Sequence, residues 1–105
     1  MVSVSSERDG GVLIVAVSGD VDLATGPAVW DAIGDALAAE GAEAVRVDLS
    51  GVRFLDSSGI ALLLRGRREA DERGVDFRVV GARGVALQVL EVTGVLAHLS
   101  GESGS

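Results

Sequence analysis

The stretch Val45 to Arg73, VRVDLSGVRFLDSSGIALLLRGRREADER, constrains the fold more than any other. It starts as a β-branched apolar run and then changes period. Ile60, Leu63, Leu64, the Arg67 stem and Ala70 recur at three and four residues. A switch from period two to period 3.6 marks a strand followed by a helix. The strand spans Ala44 to Leu49, and Ser50 to Leu55 leads into a helix from about Ser57 to Arg73, ended by Gly74. Arg65–Glu69 and Arg68–Glu72 stand four apart on its solvated face, a spacing worth a few tenths of a kcal/mol per pair. A strand feeding directly into a long amphipathic helix belongs in a helix-covered sheet.

The flanking segments fit that plan. Val2 to Arg8 alternates weakly, and Gly11 to Ser18 is a near-continuous apolar run. Asp9-Gly10-Gly11 between them favours a hairpin, because glycine tolerates the positive φ of tight turns, and it puts the first strand at a sheet edge. Gly19 to Pro27 is a loop into a helix from about Pro27 to Ala39, with Thr25 or Gly26 as its cap and Pro27 in its first turn. Trp30, Ile33 and Leu37 make its apolar stripe, and Trp30 is expected in the core or half-buried, with a place on a contact surface as the lesser alternative. Gly34 weakens this helix, and Gly41 is a fair terminator. Val75 to Val80 is a fourth strand with Val75, Phe77 and Val79 on one face. Val85 to Val92 reads as a third helix ended by Gly94, and Val95 to Leu99 as a short strand or last apolar contact. The expected fold class is α/β: a mixed sheet covered on one side by helices, in the order β-β-α-β-α-β-α-β.

Composition excludes several function classes. The 105 residues suit one domain, and 48% hydrophobic content supplies a core. With no Cys and one His, disulfides are excluded and a metal site is not expected. The net charge of -7 opposes nucleic acid and anionic membrane surfaces as partners. No apolar run approaches the roughly 20 residues that span a bilayer, and the N-terminus has no signal-peptide pattern. These features describe a soluble, cytoplasmic domain. A Ser/His/Asp triad would need His98 to reach Ser57 from near the chain end, and no nucleotide-binding glycine pattern is present. No enzyme and no cofactor is expected.

The distinctive chemistry lies at Asp56-Ser57-Ser58-Gly59. First-turn N–H groups lack intrahelical partners and attract side-chain oxygens, so Asp56 or Ser57 as a plain cap is the simplest account. Three capping residues in a row exceed what a cap needs, and Gly59 allows close backbone approach by another molecule. The alternative is a phosphorylatable serine. A phosphate on Ser57 would sit at a helix N-terminus, a favourable anion position, and would not unfold the domain. It would add roughly -1.5 to -2 charges beside Asp56 and expel a docked partner by repulsion and bulk.

The segment VDLSGVRFLDSSGIALLLRGRREA closely resembles the central motif of STAS-domain anti-sigma factor antagonists, a bacterial family. GDVDLATGP is similar to that family's loop after the second strand, and LEVTGVL to its end. The resemblance covers Val12 to Leu99 and implies a STAS domain over residues 1–100; the terminal Gly101 to Ser105 is expected as a disordered tail. It implies binding, when unphosphorylated, to an anti-sigma factor with serine kinase activity, which releases a sigma factor. The kinase then phosphorylates Ser57, with Ser58 as runner-up, and a metal-dependent serine phosphatase resets the switch. The implied partner surface is Asp20, Asp22, Leu23 and Thr25 with Asp56, Ser58 and Gly59. Family members usually carry Glu then Leu before the loop Asp; here Asp20-Val21-Asp22 keeps the charge and apolar character. The competing expectation is a constitutive STAS scaffold, in a stress complex or a lipid-transport system, without a phosphoswitch.

Overall fold

The computed structural model describes residues 1–94; the apolar segment at Val95 to Leu99, His98 and the tail at 101–105 lie outside the described residues. Seven elements follow one another: β1 (Val2–Asp9), β2 (Val12–Val21), α1 (Gly26–Ala38), β3 (Ala44–Leu55), α2 (Ser57–Arg73), β4 (Asp76–Val80) and α3 (Gly84–Val92). The sheet order is β1-β2-β3-β4. β1 runs antiparallel to β2, while β2, β3 and β4 are mutually parallel, each joined by a helix. This is the expected mixed, helix-covered sheet with β1 at its edge. Asp9 pairs with Val12, so Gly10-Gly11 is the turn, and Gly10 takes φ 62.

One face of the sheet carries the core. Leu13, Val15 and Val17 of β2, Val45 and Val47 of β3, and Phe77 and Val79 of β4 are buried with Ile33 and Leu37 of α1, Leu63 and Ala70 of α2, and Leu90 of α3. Burying each large side chain fully is worth about 1.5–3 kcal/mol. The alternate residues on β4, Asp76, Arg78 and Val80, are exposed. Arg46 reaches the Asp76 carboxylate at 3.1 Å across that open face.

The strands are longer than the sequence suggested. β3 continues to Leu55 instead of stopping at Leu49, and β2 reaches Val21 instead of Ser18. The pairing slips between Ala16↔Asp48 and Ser18↔Gly51, so Leu49-Ser50 bulges opposite Val17. The Ser50-Gly51 turn signal is thus absorbed inside a strand. Glycine is needed there because a Cβ at Gly51 would lie 2.7 Å from the Ser18 Cβ. Past the bulge, Val52 and Leu55 point inward while Arg53 and Phe54 are exposed.

The helices needed smaller corrections. Gly41 does not cap α1: the C-cap is Ala39 in extended conformation, and Gly41 takes φ 76 further on. On α2, Leu63, Gly66 and Ala70 are buried, whereas Ile60 and Leu64 are only half-buried. The helix makes Arg65–Glu69 at 3.8 Å and Arg67–Asp71 at 3.3 Å. The expected Arg68–Glu72 ion pair does not form among the described residues, both side chains pointing into solvent. Gly74 closes α2 in the left-handed region at φ 71.

Candidate functional site

The extended strands place the site. Val21 pairs with Leu55, and the Asp56 N–H donates to the Val21 carbonyl at 3.2 Å. The loop after β2 and the first turn of α2 therefore leave the sheet side by side.

Asp56 is the N-cap of α2. Its Oδ1 accepts the Ser58 N–H at 2.9 Å, the Gly59 N–H at 3.1 Å and the Ser58 hydroxyl at 2.6 Å. The Ser58 hydroxyl, and next the Gly59 N–H, hold this carboxyl below the usual aspartate range. Asp56 takes two of the first-turn donors and leaves the Ser57 N–H open. Ser57 is exposed, and its hydroxyl has no hydrogen-bond partner among the described residues. The two adjacent hydroxyls thus differ: that of Ser58 is engaged in the cap and that of Ser57 is free.

Gly59 is required by the packing of the fold itself. It is buried, and an added Cβ would overlap the Leu55 Cδ1 and come within 3.1 Å of a Val21 methyl. The chain's own strand pair approaches this backbone closely.

The loop after β2 is tied by its own side chains. Asp22 Oδ1 accepts the N–H groups of Ala24 and Thr25, each at 3.0 Å. The Thr25 hydroxyl donates to the Asp20 carbonyl at 2.8 Å and accepts the Asp22 N–H at 2.9 Å. Thr25 occupies the N-cap position of α1, yet its side chain serves the loop and not the helix. This turn fixes the backbone and holds Leu23 outward, 81% exposed. Asp20 lies 3.7 Å from Arg53. Of the seven anticipated contact residues, Leu23 is exposed, Asp20, Asp22, Thr25, Asp56 and Ser58 are half-buried, and Gly59 is buried.

Beside this turn lies a groove of about 430 Å³ between α1 and α2, with Asp22, Leu23 and Ser58 at one end. Trp30 and Leu62 wall it, and the Arg65 guanidinium stacks 4.1 Å from the centroid of the half-buried Trp30 ring. In the sequence Arg65 figures only as half of a surface ion pair and Leu62 is not singled out; their spacing of seven and four residues from Ser58, on one helix face, was the available signal. Among the described residues, no cluster of acidic, His or Cys side chains could hold a metal, and no helix is long and apolar enough to cross a membrane.

A mixed four-stranded sheet with a Ser-bearing helix start beside a rigid loop is the arrangement of a STAS domain, and the chain belongs to that family: the family model described as "Mlab, STAS domain" matches residues 4–99. Its curated relatives include bacterial anti-sigma factor antagonists. RsfB of Mycobacterium tuberculosis, an anti-sigma-F factor antagonist, is 31% identical over 94 residues, covering 90% of this chain and 75% of that protein. The crystal structure of an anti-sigma factor antagonist from Mycobacterium paratuberculosis is 35% identical with a TM-score of 0.80, covering 90% of this chain and 80% of that one. The Bacillus cell fate determinant SpoIIAA in its phosphorylated form shares the fold, with a TM-score of 0.72 at 17% identity, covering 93% of this chain and 88% of that one.

Proposed function

We propose that this domain is an anti-sigma factor antagonist acting in the cytoplasm. Unphosphorylated, it binds an anti-sigma factor with serine kinase activity and frees a sigma factor. The contact surface is the start of α2 with the loop after β2. Phosphorylation of Ser57 by the bound kinase ends the interaction, and a metal-dependent serine phosphatase restores it.

The observation that carries this proposal is the contrast between the two serines. A kinase needs a hydroxyl that can enter its active site. Ser57 offers one at an exposed helix start, while the Ser58 hydroxyl is held 2.6 Å from Asp56. Phosphate on Ser57 would meet the open N–H end of α2, which favours an anion, so the fold survives the modification. It would also stand beside an Asp56 that stays ionised at neutral pH. The added charge and bulk therefore act outward, on the partner, and no large rearrangement is required.

The test is binding of purified wild type, Ser57→Ala and Ser57→Asp to the anti-sigma kinase, measured by calorimetry with ADP present. Ser57→Ala should bind like wild type, and Ser57→Asp should bind at least roughly tenfold more weakly. Equal affinity for all three would refute the switch and leave a constitutive scaffold.

A further inference from the structure

We infer that the groove between α1 and α2 is a second contact for the kinase, and that it takes an apolar side chain carried next to an Arg or Lys. This rests on the partner proposed above but extends the surface beyond the helix start and the loop. Three observations support it. First, the groove is lined by the apolar side chains of Leu23, Pro27, Trp30 and Leu62 and also by Ser58, so a partner covering Ser57 lies next to it. Second, its loop wall is preorganised. Leu23 is 81% exposed on a turn tied by Asp22 and Thr25, so docking against it orders little that is not already ordered.

Third, the charge around it is one-sided. Asp22 and Asp31 line the α1 side, and Asp31 is exposed with no ion pair among the described residues. The single cation of the lining, Arg65, is already stacked on Trp30 and 3.8 Å from Glu69. The rim therefore offers unanswered negative charge on a chain of net charge -7. A cation flanking the inserted apolar group answers it.

Trp30 is the only Trp in the chain and there is no Tyr. Incorporating 5-fluorotryptophan gives one fluorine resonance that reports on this groove. The full chain is titrated with each purified candidate anti-sigma kinase in ADP, complex formation being followed separately by size-exclusion chromatography. In the complex the resonance should shift. Ala61→Trp, which fills the groove from an exposed position, should weaken binding roughly tenfold or more. Asp31→Lys should weaken it several-fold, most at low salt. Because both positions are exposed, thermal melts should match wild type. A complex with an unmoved resonance and unimpaired Ala61→Trp would overturn the groove and leave the partner standing. Tighter binding by Asp31→Lys would overturn the basic occupant. No complex with any candidate kinase would refute the partner and the groove together.

Discussion

Ser57 and Ser58 are one residue apart and chemically identical, yet the cap separates them. Asp56 takes the Ser58 hydroxyl and N–H into the helix start and leaves Ser57 facing solvent. Ser58→Ala should therefore cost some stability through the cap while leaving phosphorylation at Ser57 intact; thermal melting and phosphate mapping separate the two effects. Asp56 also makes a pH prediction. Its folded pKa lies below its unfolded value, so the stabilisation is complete above about pH 4 and is lost as pH falls through the folded value. Asp56→Asn keeps a capping oxygen without the charge. The melting-temperature gap between wild type and Asp56→Asn should be present at pH 7 and close below about pH 4; a gap independent of pH would contradict the assignment. Sequence alone located the Asp-Ser-Ser-Gly cluster. It could not distinguish the two hydroxyls, because that choice is made by side-chain direction around one carboxylate. Nor could it show that Gly59 packs against Leu55 and Val21, since close approach of any neighbour asks for the same residue.

At the scale of elements, the helices and strands followed from periodicity, and the ends of the strands did not. Ser50-Gly51 looks like a turn in one dimension. In the sheet it is a bulge, permitted because Gly51 lets β3 lie against Ser18. That bulge carries β3 on to Leu55 and sets the α2 start beside the β2 loop, so the site depends on it. The helical glycines give a paired test. Gly34 in α1 has open space where a Cβ would go, so Gly34→Ala should raise stability by about 1 kcal/mol. Gly66 in α2 lies under the Phe77 ring, where a Cβ would sit 2.9 Å from Cζ, and Gly66→Ala should lower stability by about 1–3 kcal/mol. Urea titration of both variants checks the pair. The same sign for both would mean that helix propensity, and not the fit of α2 on β4, sets their stability.

For the whole molecule, the charge of -7 and the acidic groove rim together describe a surface that attracts basic partners over long range. The association rate with the kinase should fall as ionic strength rises from about 0.05 to 0.5 M, with a smaller change in the dissociation rate, as stopped-flow measurement would show. This property was readable from composition. Composition and periodicity did not give the pairing of residues 20–26 with 56–59, which arises across two strand ends and was implied only by the family resemblance. The central claim is that a phosphate on Ser57 is the signal. Its most direct test is intact-mass spectrometry, with fragment mapping, after incubation of the purified protein with ATP and each candidate anti-sigma kinase. One added phosphate on Ser57, absent from Ser57→Ala and retained by Ser58→Ala, is the predicted result. A stable complex that never gains phosphate, or gains it on Ser58, would contradict it.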